Sequence, residues 1–320
     1  MAKSQWSKFL IWMAGTAVVC LLAAFIFVIF DDPYGRLQIR KIHETTFAGE
    51  RLSRVPRALE PAYDSAIIGN SVSVPLVPKR LSGLTGLNFV NLSISGTGAD
   101  AHFYVARFFL DHHPDAKAMV FALDDSWCRS RGEWRPFPFW LYSSIPHYLL
   151  GLARETSVKL LSASRETRTE RLPRDGFQTF NEAFVEKFSD KELVRKLLAR
   201  ERPTHQGAPD LAATIELAKF IKASTHVRVV VLWTPRYINL IPAPGSAAAQ
   251  ADRECKDSLK KNLSAVRNAT IIDAAGDDRP ENADPGNFYD FIHYSSPLAS
   301  MIEREISAAI KVPMTQSNAL

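Results

Sequence analysis

The sequence predicts an α/β fold: a three-layer α/β/α sandwich with a mostly parallel sheet, preceded by one transmembrane helix. Three observations predict it. Short β-rich apolar runs recur at Ser65–Gly69, Phe89–Ile94, Ala118–Leu123, Val227–Trp233 and Thr270–Ile272. Segments with apolar residues at helical spacing alternate with them, at Ala99–Leu110, Leu211–Ser224, Ala247–Val266 and Pro297–Ile310. A long run, Phe9–Phe30, carries no charge at all. Short runs that are apolar on both faces belong to a parallel sheet covered by helices. Strand–helix alternation with right-handed crossovers winds that sheet from both sides.

The N-terminal run comes first. About 20 apolar residues at 1.5 Å rise cross a bilayer core of roughly 30 Å. Lys3 and Lys8 precede it and Asp31-Asp32-Pro33 follow, so the positive-inside rule puts the N-terminus in the cytoplasm and the rest outside, in the periplasm. A cleaved signal peptide has a shorter apolar region and a small-residue cleavage site. This run ends in Phe27-Val28-Ile29-Phe30, which favours an uncleaved anchor, and Val19 before Cys20 argues against lipidation. The expected organisation is a cytoplasmic stub (1–8), an anchor (9–30), a juxtamembrane linker with some helix (31–63), one domain (64–312) and a loose tail (313–320).

Inside the domain the strand pattern stops between Leu123 and Val227. A helical insertion is expected at about 128–208. Its start is aromatic and basic, with Trp127, Trp134, Arg135, Phe137, Phe139 and Trp140, and Arg154–Arg202 is Arg-rich. It reads as a lid, a substrate groove, a membrane-facing surface or a plain helical elaboration. The last helix carries Ser296 as its expected N-cap and Pro297 at its first position. Cys20 falls in the span, which leaves Cys128 and Cys255 as the pair that an oxidising compartment would bridge.

The 320 residues carry a net charge of +5, which suits an anionic membrane or glycan surface. No Arg/Lys run with interleaved aromatics marks a nucleic-acid module, and no nucleic-acid partner is expected. There is no CxxC pair and no recognised ligand spacing, so neither a metal nor any other cofactor is expected.

Two motifs carry the candidate chemistry. Ala66-Ile67-Ile68-Gly69-Asn70-Ser71 reads as a buried strand running into a turn with a serine, and glycine permits a sharp turn there. Asp290-Phe291-Ile292-His293 places a carboxylate three residues before an imidazole. Serine, histidine and acid are the parts of a nucleophilic acyl-transfer site. Taken singly, Ser71 reads as a helix-capping loop serine and Asp290-His293 as a cap; the combination is what points to chemistry. Ligands of a doubly wound sheet bind beyond the carboxyl ends of its strands, and Ser71 follows the first strand directly.

Ser71 after strand one, the glycine turn Asn91-Leu-Ser-Ile-Ser-Gly96-Thr-Gly98 after strand two, a polar turn after strand three and Asp-x-x-His before the last helix together resemble the SGNH (GDSL-like) hydrolase superfamily. The resemblance covers about 64–312 without the insertion. Within it the chain is similar to membrane-anchored members that accompany acylation of cell-envelope polymers, such as the D-alanyl transfer protein of teichoic acids and the alginate O-acetylation proteins. The resemblance implies an SGNH/flavodoxin-like fold, with Ser71 as nucleophile, His293 as base and Asp290 as its orienting acid. It implies oxyanion donors at Ser71 and Gly96, with Gly98 beside them. The family's third motif supplies an oxyanion asparagine, where this chain has Leu123-Asp124-Asp125-Ser126-Trp127. Asp124 and Asp125 must therefore face away from a developing oxyanion, with Asn70 or Ser126 as a substitute donor. Asp125, Trp127 and Arg236 are further candidate substrate contacts.

The expected function is an extracytoplasmic serine acyl esterase or O-acyltransferase acting on a cell-envelope glycan or glycolipid. A membrane-bound O-acyltransferase is a candidate partner. A different class, a non-catalytic scaffold that binds such a glycan or such an acyltransferase, fits the missing asparagine. A metal-dependent phosphoesterase using His112, Asp124, Asp125 and His293 is the minor third reading.

Overall fold

All five apolar runs become parallel strands of one sheet. The computed structural model describes residues 2–39, 46–47, 50–129, 137–162, 170–171, 175 and 190–312; Trp134, Arg135 and the tail 313–320 lie outside the described residues. The chain opens with helix α1 (Ala2–Asp31), followed by the short strand β1 (Thr46–Phe47) and α2 (Glu50–Ala58). The domain then runs β2 (Ser65–Ile68), α3 (Pro78–Thr85), β3 (Phe89–Asn91), α4 (Ala99–His112) and β4 (Ala118–Leu123). Next come α5 (Ile145–Ser162), β5 (Glu170–Arg171), α6 (Asp190–Ala199) and α7 (Ala212–Ala223). It closes with β6 (Arg228–Trp233), α8 (Ala247–Leu263), β7 (Ala269–Asp273) and α9 (Ser296–Lys311).

The sheet order is β3-β2-β4-β6-β7, and every neighbouring pair is parallel. All residues of β2, β3, β4 and β6 are buried, as a sheet covered on both sides requires. Side chains alternate between the two faces. Ile67, Val120, Val230 and Leu232 pack with Leu81 of α3 and with Leu298, Ile302 and Ile306 of α9. Ala66, Ile68, Phe121 and Val231 pack with α4, α7 and α8 through residues such as Phe109, Leu217 and Leu259. Fully burying one such side chain contributes about 1.5–3 kcal/mol. Three layers result.

The strand order reverses between β2 and β4, because β3 lies on one side of β2 and the later strands on the other. At such a switch point the two flanking loops diverge and leave a crevice at the carboxyl ends. Ser71 follows β2 and Asp124 follows β4, so the two loops of interest border that crevice.

Three details differ from expectation. Strand β3 stops at Asn91 rather than Ile94, although Leu92 and Ile94 still donate to Ile67 O and Gly69 O, each at 2.9 Å. Helix α9 starts one residue early: Ser295 holds the N-cap position without a side-chain cap bond, and Ser296 falls in the first turn ahead of Pro297. The segment 31–63 carries α2 and docks on the domain. Tyr34 and Arg36 are buried, and the Asp32 carboxylate accepts the N–H groups of Leu37 (3.2 Å) and Ile39 (3.3 Å). Between β4 and β6, α5–α7 intervene, and β5 pairs antiparallel with β1.

Candidate active site

Ser71 opens a one-turn 3-10 helix, Ser71–Ser73, directly after β2. It is half-buried, and among the described residues its hydroxyl has no hydrogen-bond partner. Asn70 caps the turn: its Oδ1 accepts the Val72 N–H at 3.1 Å. The residue before it, Gly69, is needed for close packing rather than for a left-handed backbone. A Cβ there would strike the Ser73 side chain and the Ala122 carbonyl oxygen.

The turn is pinned from below by polar residues on and after β3. Ser73 Oγ bridges Asn70 O (2.8 Å) and Ser93 Oγ (2.7 Å). Asn91 is wholly buried and donates to both Ser73 O and Leu76 O at 3.1 Å, while its Oδ1 accepts the Ser93 N–H at 3.0 Å. An Asn91→Ala variant leaves the Leu76 carbonyl and the Ser93 N–H without these partners, while the Ser73 carbonyl keeps the Leu76 N–H at 3.2 Å. At about 1–3 kcal/mol for each orphaned group, we expect a loss of at least about 2 kcal/mol. Chemical denaturation measures it; a variant within about 0.5 kcal/mol of wild type would contradict the role given to this side chain.

The second motif forms its own closed unit in the segment between β7 and α9. Asp290 Oδ1 accepts the N–H groups of Ile292 and His293, each at 2.8 Å. Its Oδ2 meets His293 Nδ1 at 2.5 Å. Since a carboxylate only accepts, Nδ1 carries the hydrogen and Nε2 is left as the basic nitrogen. Burial pushes the Asp290 carboxyl up, but the hydrogen bond and charge of His293 and the two backbone N–H groups outweigh it and hold it below the usual carboxylate range. Phe288 and Tyr294 are buried on either side and bridge to each other, and the Tyr237 N–H after β6 donates to Phe291 O at 3.1 Å. The unit is thereby tied to the same carboxyl edge of the sheet.

A group whose carboxyl is depressed on folding stabilises the fold above its unfolded pKa, near 4, and loses that contribution as pH falls through the lower folded value. An Asp290→Asn variant keeps an acceptor for the two backbone N–H groups but removes the charge and turns an amide donor toward His293 Nδ1. Its melting temperature should lie below that of wild type at pH 5–7 and converge with it below about pH 4. A gap that persists unchanged into acid would show that the charge contributes nothing.

The loop after β4 answers where its two carboxylates face. Asp124 Oδ1 accepts the Ser126 N–H (3.0 Å) and hydroxyl (2.5 Å), and Oδ2 accepts from Asn70 Nδ2 at 2.8 Å across the crevice. Asp125 pairs with Arg129 at 2.8 Å. Asp124 is thus occupied within the two loops: the Ser126 N–H and one of the two Asn70 Nδ2 hydrogens, from the two substitute donors, both serve it. Two other N–H groups are unclaimed. Among the described residues, neither the Ser71 nor the Gly96 N–H donates to any acceptor. Gly96 has φ +69°, a conformation that side-chain-bearing residues resist.

Trp127 is buried, stacked on His102 with ring centres 5.6 Å apart. His102 Nε2 lies 3.2 Å from Thr97 Oγ1, whose hydroxyl donates to Ile94 O at 2.6 Å, so the imidazole braces the Gly96–Gly98 turn. Burial pushes His102 down to about 3, which keeps it neutral at ordinary pH. A cleft of about 580 Å³ opens beside this turn, lined by Gly98, Phe103, Ser126, Trp127, Arg129 and Lys219 among others. Arg236 lies elsewhere. It is buried at the end of β6, and its guanidinium donates to Asp252 at 3.1 Å. Lys256 pairs with the same carboxylate at 3.2 Å, so the charge of Arg236 is matched inside the fold.

Sequence reasoning passed over Asn91, Ser73, Ser93 and His102 as site-building residues. A polar residue at the end of an apolar strand was the available signal for Asn91. It also passed over Glu303, a fully buried carboxylate on α9 that accepts the Val77 N–H at 2.7 Å and pairs with Arg80. This contact fixes α9, which follows His293, against α3, which follows Ser71. The metal-dependent reading needs a cluster of His, Asp and Glu. Among the described residues no group of three gathers, and His112 lies against Phe108 O and Arg36.

No protein-family model matches the chain, and no curated protein matches it significantly. What stands without comparison is a three-layer α/β/α fold of a kind that hosts hydrolases, with one long apolar helix at its N-terminal end.

Proposed function

We propose that this chain is an SGNH-type serine acyl esterase or O-acyltransferase, held at the membrane by α1 and acting outside the cytoplasm on an acylated envelope glycan or glycolipid. The observation that carries the reading is the Asp290–His293 pair: a carboxylate fixing Nδ1 of an imidazole at 2.5 Å, on the carboxyl edge of the sheet where Ser71 follows β2. The unclaimed N–H groups of Ser71 and Gly96 support it. A link between Ser71 and His293 would form on substrate binding, since catalytic hydrogen bonds are often long in unliganded sites. The Cys128–Cys255 disulfide suits an oxidising compartment, with the free Cys20 confined to the apolar helix.

In the proposed reaction Ser71 Oγ attacks the acyl carbonyl while its proton passes to His293 Nε2. The Ser71 and Gly96 N–H groups receive the oxyanion. The intermediate collapses, the alcohol leaves with the proton from His293, and an acyl-serine remains. Water or a sugar hydroxyl, deprotonated by His293, then takes the acyl group.

A second reading has its own observation. Asp124 stands where the family has an oxyanion asparagine and accepts one hydrogen of the nearby Asn70 amide. A non-catalytic scaffold that binds envelope glycan or a membrane O-acyltransferase would tolerate that. A fluorophosphonate probe separates the two: stoichiometric attachment at Ser71 supports the enzyme, and no attachment at any pH between 6 and 9 supports the scaffold.

A further inference from the structure

Helix α1 is exposed along nearly all of its length except at one stripe. Phe25, Val28 and Ile29 are partly buried against the domain, with the buried Asp32 one turn further on. These positions fall on one helical face. Phe25 lies five residues before Phe30, the last uncharged residue of the apolar run, and so about 8 Å inside it along the axis. If α1 spans the membrane, whatever packs on Phe25 is itself below the polar boundary.

Helix α5 meets α1. Its first turns are unlike a solvated helix. Leu150 is 71% exposed and Ile145 40%, with Pro146 exposed between them. His147 and Arg154 flank these residues on the exposed side, as basic side chains do when they reach from an apolar surface to lipid headgroups. Two aromatic residues sit beside the same junction. Tyr34, just after α1, meets the Trp140 ring edge-on at 5.4 Å, and Trp140 stacks on Tyr148 of α5 at 5.8 Å. Tyr34 and Tyr148 are buried, so the stack joins the end of α1 to α5 inside the protein. Gly151 lets α5 approach, since a Cβ there would overlap the Trp140 ring.

We infer that the α5 face bearing Ile145, Pro146 and Leu150 is immersed in the lipid leaflet around the C-terminal end of α1, so that the domain sits partly in the membrane at a fixed height instead of swinging on a tether. The occupant of this face is lipid because the helix that bears it contacts a span that lipid must surround. The inference rests on the reading of α1 as a membrane anchor.

The test uses the full chain in phosphatidylcholine/phosphatidylglycerol nanodiscs, in a Cys20→Ser background with the disulfide intact. Nitroxide labels are placed by Leu150→Cys, by Phe27→Cys in the span and by Met301→Cys on α9, all exposed positions. The inference expects the labels at 150 and 27 to be reached by oxygen and shielded from a water-soluble nickel chelate, with an oxygen-to-nickel ratio several-fold above that at 301. A label at 150 that matches 301 while 27 remains in lipid overturns the inference and leaves the anchor standing. Shielding of 150 from both reagents means a protein partner covers it and also overturns the inference. Nickel access at 27 means that α1 does not span, and both readings fall.

Discussion

Ser71→Ala should abolish fluorophosphonate labelling and lower ester cleavage by at least about 10⁴-fold, without unfolding the protein. The structural reason for the second half is specific. The Ser71 hydroxyl has no hydrogen-bond partner among the described residues, so its removal orphans nothing, and stability should stay within about 0.5 kcal/mol of wild type. Two residues on, the opposite pattern is expected. Ser73 Oγ is buried and joins Asn70 O to Ser93 Oγ, so Ser73→Ala should cost about 1–2 kcal/mol while retaining the label. Acetyl-ester turnover, probe labelling and a denaturation curve on both variants read the contrast. A Ser71→Ala protein with unchanged turnover would end the assignment of this serine as nucleophile.

The contrast matters because the departure from the family pattern lies next to Ser71 and not in it. A carboxylate near a developing oxyanion raises its energy. Asp124 avoids that by accepting three hydrogen bonds, two from Ser126 and one from Asn70. The arrangement turns a potential inhibitor of the chemistry into a strut between the loops of β2 and β4. It also engages one of the two Asn70 Nδ2 hydrogens, while the backbone amides of Ser71 and Gly96 stay unclaimed among the described residues. Loss of one donor typically costs about 10²–10³ in rate, so a slow enzyme is the expected result.

The sheet was legible because burial on both faces leaves continuous apolar runs, and Ala118–Leu123 is a strand from end to end. The Asp290–His293 pair was legible because its geometry is local: three residues, one turn, one hydrogen bond. Asn91, Ser93 and His102 were not, since each acts through a partner that the fold brings from another segment, and a buried asparagine looks the same in sequence as an exposed one. The positioning of Gly69 was read for the wrong cause. Sequence shows that a glycine is present, whereas only the packed Ser73 and Ala122 show that space and not backbone angle demands it. The pairing of β1 with β5 joins segments more than a hundred residues apart through strands of two residues each, too short to leave a periodic signal.

The largest stability effect should come from Cys128 and Cys255. Their disulfide joins the loop after β4 to the middle of α8 across a sequence separation of 127 residues. Closing a loop near 100 residues removes enough freedom from the unfolded chain to be worth about 4.7 kcal/mol in the chain-entropy account, and native disulfides typically contribute 2–5. Everything between the two cysteines, including α5, α6 and α7, is therefore held to the sheet by a covalent link as well as by packing. Both cysteines are almost fully buried, so a serine pair would add buried hydroxyls of its own; Cys128→Ala with Cys255→Ala isolates the cross-link. We expect the double variant to lose about 3–5 kcal/mol in equilibrium denaturation under conditions where the wild-type bridge stays intact. Cys128 directly follows Trp127, whose ring supports His102 and through it the Gly96–Gly98 turn. The loss should therefore extend to ester cleavage at temperatures where the variant is still folded. An unchanged midpoint would mean that the non-covalent contacts of the insertion already confine the chain as tightly as the bridge does.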